Sequence, residues 1–156
     1  MKLSLLAAVV SASIVLPAMA ADVTYRNDIK PFIKAQCAEC HAGDAPTLQE
    51  FKLNEKKYID DKLGPRTDSY ENLLAIVAYP DHGAFMRRLD DGSNTADKKP
   101  GNMYKHLGET DAERAKNLLM FKAWVGEGGW NLNRWDAKGD VPGVTKEQLG
   151  KLKLKY

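Results

Sequence analysis

The chain has 156 residues, enough for one domain with a modest core. Its 23 Lys and Arg stand against 21 Asp and Glu, too even a balance for a protein that binds nucleic acid through bulk charge. No internal repeat or low-complexity tract breaks the chain. Residues 1–20 read as a secretory leader. Lys2 gives a charged start, Leu5 to Leu16 is an almost unbroken apolar run, and Ala18-Met19-Ala20 is a small-x-small cleavage site. The run is too short to span a bilayer and no stop-transfer sequence follows, so no transmembrane segment is expected once the leader is gone. The mature chain is then expected to begin at Ala21 and to form one domain over 21–156. Loss of the leader removes only Lys2 among the charged residues, leaving 22 basic against 21 acidic.

From Asp28 the pattern is helical. Asn27 or Asp28 can cap, Pro31 sits in the first turn where a missing N–H costs little, and Ile29, Phe32, Ile33 and Gln36-Cys37 follow at three- and four-residue steps. This helix delivers Cys37-Ala38-Glu39-Cys40-His41. Residues i and i+3 of a helix project to the same side, so Cys37 and Cys40 can both reach the vinyl groups of one haem and form thioethers. His41 is then placed to bind the iron through an imidazole nitrogen. The spacing is the signature of c-type haem attachment. That attachment takes place outside the cytoplasm in bacteria, the compartment to which the leader points. Other uses of the cysteines fit less well. A Cys-x-x-Cys redox pair wants a βαβ neighbourhood. A zinc site wants four well-spaced ligands. A plain disulfide is compatible with export but gives His41 no duty. No second such motif exists, so one haem is the limit.

After His41, Ala42 to Pro46 is a loop by composition. Glu50 to Lys62 is highly charged, anchored by Phe51, Leu53, Tyr58 and Ile59, and is compatible with helix or irregular chain; Gly64-Pro65 breaks it. Thr67 or Asp68 then caps a helix whose Tyr70, Leu73, Leu74 and Val77 form one apolar stripe, ended by Pro80. A shorter helix over Gly83 to Leu89 carries Phe85, Met86 and Leu89. Asp90 to Gly101 is polar and reads as a surface loop. Thr110-Asp111-Ala112-Glu113 is a capping box that opens the longest helix, about Asp111 to Glu127. Ala115, Leu118, Leu119, Phe121, Trp124 and Val125 give that helix a broad apolar face, and Gly126, Gly128 and Gly129 stop it. The remainder, 130–156, reads as an extension with a short helix after Thr145 and a solvated end of alternating Lys and Leu.

A haem-binding helix near the mature N-terminus, a methionine loop, and a capped final helix with Leu118-Leu119, Trp124-Val125 and closing glycines resemble the class I cytochrome c family in its bacterial monohaem members. The resemblance covers about Tyr25 to Gly129. It implies an all-α fold in which the first and last helices cross beside the haem, and it implies a carrier of single electrons. Two departures stand out: a longer stretch between His41 and Met103 than in the smallest members, and the extension after Gly129.

An electron carrier of this kind closes the iron on both sides, and a thioether sulfur opposite His41 favours the reduced state. Met1 and Met19 leave with the leader. Met86 shares an apolar stripe with Phe85 and Leu89, and Met120 lies among Leu119 and Phe121, so both read as core. Met103 follows a Gly-Pro-bearing loop with no packing duty of its own and precedes the final helix, as the ligand does in the family. Met103 is therefore the candidate distal ligand and Met86 the alternative, with His106 and His82 behind them. The expected function is a periplasmic, monomeric one-electron carrier between respiratory redox proteins. Carriers of this family also serve chains linked to outer-membrane haem proteins for iron oxidation or metal reduction. Lys34, Lys98, Lys99 and Lys105 are candidate docking charges. The rival functions are a haem enzyme or gas sensor with an open sixth site, and a fixed haem subunit of a larger complex.

Overall fold

The computed structural model describes residues 22–131 and 144–156, so the expected leader over 1–20 lies outside the described residues. Eight α-helices are present among them: α1 (Lys30–Gln36), α2 (Ala38–His41), α3 (Leu48–Leu53), α4 (Glu55–Asp60), α5 (Tyr70–Val77), α6 (Ala84–Leu89), α7 (Asp111–Val125) and α8 (Lys146–Leu149). Short helical turns precede α1 (Tyr25–Ile29), precede α7 (Tyr104–Leu107) and follow it (Glu127–Gly129). No strand occurs among the described residues, and the all-α expectation holds.

The first helical stretch starts earlier than expected. Thr24, not Asn27 or Asp28, is the cap: its hydroxyl accepts from the Asn27 amide at 3.1 Å, while the Asp28 carboxylate accepts from the Thr24 amide at 2.8 Å. The opening turn is wide, of π type, and lies directly ahead of Pro31, which cannot donate to a regular ladder. Ser69, rather than Thr67 or Asp68, caps α5 by accepting from the Asn72 amide at 3.1 Å. Ser69 stands immediately before the first helical residue, Tyr70, and the two earlier candidates lie upstream of that position. The Thr67 amide donates to the His41 carbonyl at 2.9 Å, and the Asp68 carboxylate holds Arg66 at 2.6 Å. The charged stretch after Pro46 resolves into α3, opened by a Thr47–Glu50 capping box, and α4.

The core lies between α1, α5, α6 and α7. Ile29, Leu73, Val77, Phe121, Trp124 and Val125 are essentially inaccessible, and each such side chain contributes roughly 1.5–3 kcal/mol by leaving water. Phe121 joins three elements, meeting Phe32 of α1 and Phe85 of α6 edge-on with ring centres 5.2 Å apart in both cases. The apolar face of α7 is narrower than its sequence suggests. Leu118, Phe121, Trp124 and Val125 are buried, but Leu119 is 66% exposed and Ala115 is exposed.

The end of the chain is not a solvated tail. Residues 152–156 run as a strap across the end of α7. The Lys153 and Leu154 amides donate to the carbonyls of Val125 and Trp124, both at 2.9 Å. The Lys155 carbonyl accepts from the Tyr25 amide at 2.8 Å and from the Trp124 indole at 3.0 Å. The Tyr70 hydroxyl donates to the Leu154 carbonyl at 2.7 Å, and Tyr156 stacks on Tyr25. Leu152 and Leu154 turn toward the core while Lys151, Lys153 and Lys155 stay exposed. Gly126, with φ +98°, makes this possible: a Cβ there would stand 2.6 Å from the Lys151 carbonyl oxygen. The glycines after α7 thus admit the strap as well as ending the helix.

Candidate functional site

The break between α1 and α2 falls on Cys37. Its amide donates to the Ile33 carbonyl at 2.9 Å, and its own carbonyl accepts from the His41 amide at 3.0 Å. Cys37, Cys40 and His41 therefore share a single helical turn. All three are half-buried, with Cys37 packed on the core beside Ile33 and Phe32. The cysteines are not joined to each other. Burial, then the neighbouring Cys40, pushes the Cys37 thiol up to about 11. A redox dithiol needs the opposite shift, toward thiolate, so the environment does not suit a thioredoxin-like pair.

His41 is oriented by a segment that the sequence marked only as a helix breaker. Its Nδ1 lies 2.7 Å from the Pro65 carbonyl oxygen, the geometry in which the ring nitrogen donates. That bond fixes the tautomer and leaves Nε2 with its lone pair available. The Gly64 amide donates to the Cys40 carbonyl at 2.9 Å, which holds the 63–65 segment against the motif. A Cβ on Gly64 would lie 2.2 Å from His41 Cε1. The imidazole thus sits in a cradle that only glycine leaves open, locked at one nitrogen and free at the other. Two thiols on one turn beside an imidazole so held are the donor set that covalent haem attachment requires, and the residues fit the group.

The methionines occupy different environments. Met86, on α6, is 2% exposed and enclosed in the core. Met103 is partly buried at the core's edge and opens the turn Tyr104–Leu107. Its main chain is anchored to α6: the Met103 amide donates to the Arg88 carbonyl at 2.9 Å, and the Gly101 amide to the Asp90 carbonyl at 2.8 Å. Gly101 is required there, because a Cβ would stand 2.3 Å from the carbonyl oxygens of both Arg87 and Arg88. His82 is buried and His106 is exposed. The loop expected at the surface over 90–101 has a buried root, since Asp90 is 3% exposed. Sequence reasoning missed Asp90, because a carboxylate in a polar stretch reads as solvated.

A family model described as PccH cytochrome c matches residues 24–156, including the segment set apart as an extension. Among solved structures, the monoheme cytochrome PccH from Geobacter sulfurreducens is 48% identical, with 87% of this chain and 100% of that chain covered and a TM-score of 0.75. A search of curated proteins returns no match. The resemblance to monohaem cytochromes c is thereby upheld, with its all-α fold and its electron-carrier role. The chain belongs to the PccH cytochrome c family, and it holds one haem c, covalently bound, with its iron.

Proposed function

We propose that this chain is exported, begins at Ala21 once the leader is removed, and carries single electrons between redox proteins of a periplasmic respiratory chain. In this reading Cys37 and Cys40 form the thioethers, His41 is the proximal ligand through Nε2, and Met103 is the distal ligand. The observation that carries it is the His41 imidazole, held by the Pro65 carbonyl at 2.7 Å and packed against Gly64. A carrier needs such a ring held still, because motion of a ligand on electron transfer costs reorganisation. When bound, the haem supplies the one-electron couple. The protein would supply orientation at His41 and, in this reading, the Met103 sulfur as second iron ligand, with Phe32, Ile33 and Cys37 giving the attachment turn apolar neighbours at the core.

Met103 is preferred over Met86 on packing. The core encloses Met86, and its side chain has the filler duty that its stripe with Phe85 and Leu89 suggests. Met103 keeps part of its side chain uncovered by protein, on a main chain anchored to α6. The proposed partners are acidic redox proteins, because Lys34, Lys98, Lys99 and Lys105 are all exposed. A chain ending at outer-membrane haem proteins is the proposed setting.

Optical spectra of the oxidised protein and of two variants test the assignment. Met103→Ala should keep its haem through acid–acetone extraction, lose the Met–iron charge-transfer band, and show a lower reduction potential. Met86→Ala should keep the band and lose on the order of 2–5 kcal/mol of stability as a core truncation. The reverse pattern would make Met86 the ligand. A band missing from the unmodified protein would return His106 and His82 as candidate ligands and favour an open sixth site, with the enzyme or sensor function.

A further inference from the structure

The Asp90 carboxylate is buried at a place where three segments meet. Asp90 ends α6, and its main-chain carbonyl accepts from Gly101, two residues before Met103. One carboxylate oxygen accepts from the Gly92 amide at 2.7 Å and from the Asn94 amide at 3.3 Å. The other accepts from the Asn94 side chain at 2.7 Å and from the Trp130 indole N–H at 3.1 Å. Trp130 follows α7 and is 4% exposed. The chain between Asp90 and Gly101 is thus folded onto the carboxylate at its start and returns to the same residue's carbonyl at its end. The Thr95 hydroxyl, within hydrogen-bond distance of the Gly92 and Lys99 carbonyls at 3.2 and 3.1 Å, ties the middle.

A buried carboxylate is costly unless its lone pairs are filled, and here four N–H groups fill them. A single network so satisfied specifies one arrangement of the groups it joins. We propose that Asp90, through its bond to Trp130 and its hold on the 92–94 loop, is a positioning residue that keeps Met103 in its ligating place. The proposal rests on the reading of Met103 as distal ligand. Asp90 would act through the loop it holds, its carboxylate bonds going to Gly92, Asn94 and Trp130. It fixes the root of the loop whose far end, at 101–103, is pinned to α6, so loosening it raises the fraction of molecules in which Met103 is displaced.

That fraction can be read with imidazole as a probe. Imidazole binds oxidised iron only when the sulfur is off, so its apparent dissociation constant falls as the displaced fraction rises. Asp90→Asn replaces one acceptor oxygen by a donor and leaves the Trp130 N–H or the loop amides unpaired. It should tighten imidazole binding about tenfold, equal to about 1.4 kcal/mol. Trp130→Phe, which keeps a ring in place and removes only the N–H, should tighten it in the same direction by less. The double variant should fall short of the product of the two effects, because the pair shares one bond. A structural role alone would lower the melting temperature of both variants and leave their imidazole constants at the unmodified value, and that result overturns the proposal. If Asp90→Asn does not fold, Trp130→Phe decides the matter by the same measurement. Loss of the charge-transfer band in Met103→Ala with unmoved imidazole constants in both other variants would retain the ligand and reject the positioning role. Survival of the band in Met103→Ala would reject both.

Discussion

At the scale of single residues, the site depends on a contact that no local pattern encodes. Cys37, Cys40 and His41 were legible because their chemistry needs only a three-residue spacing on one turn. Gly64 and Pro65 were legible as a chain break and nothing more, since their partner His41 lies 24 residues before Pro65. Gly64→Ala brings the issue to a test. Its Cβ would fall 2.2 Å from His41 Cε1 and 2.7 Å from Nδ1, so either the ring or the 63–65 segment must move. Overpacking of this kind costs about 1–3 kcal/mol. The variant should therefore melt several degrees lower, and its oxidised spectrum should show a weakened ligand field while the haem stays covalently attached. An unchanged spectrum and melting point would mean that the cradle is more compliant than its geometry implies.

At the scale of elements, α7 is the best-specified helix. Its capping box was readable in full: the Thr110 hydroxyl accepts from the Glu113 amide at 3.2 Å, and the Glu113 carboxylate accepts from the Thr110 and Glu109 amides at 3.0 and 2.9 Å. Thr110→Ala should cost about 1 kcal/mol, seen as a lower denaturant midpoint with an unchanged slope. These amides hold the Glu113 carboxyl below its usual range, the Thr110 amide most strongly. A depressed folded-state value means stability that is present above the ordinary carboxylate range and is lost as pH falls through the folded value. The stability gap between the unmodified protein and Glu113→Gln should thus be open at neutral pH and close on acidification. What the periodicity of α7 could not reveal was which apolar residues find partners. Leu118 and Leu119 are equally apolar, yet Leu118 is buried in the core and Leu119 is 66% exposed. Nothing in the structure explains the exposed leucine.

At the scale of the whole molecule, the sequence pattern of the last residues misled, and for a physical reason. Alternating Lys and Leu is compatible with a solvated end, and only distant partners distinguish that from a strap. The partners are Tyr25, Tyr70 and Trp124, and the Tyr70–Leu154 bond alone joins residues 84 apart. Tyr70→Phe removes that donor and leaves a partly buried carbonyl without it. Equilibrium denaturation should register a loss of about 1 kcal/mol. No loss would mean that the aromatic stack on Tyr156 and the backbone bonds to α7 hold the strap by themselves.

The strap also sets an order of events. Its ion pair between Lys155 and Asp22, 2.8 Å long, joins positions 133 residues apart, and contacts of such separation require the intervening chain to be closed first. Local helices close short loops and the strap a long one, so the strap is expected to dock after the haem-attachment turn has formed. Pulse-labelling hydrogen exchange during refolding of the haem-bearing protein should show the amides of α7 protected first. The Tyr25 amide and the Trp124 indole, which both donate to Lys155, should be protected last and at one common rate.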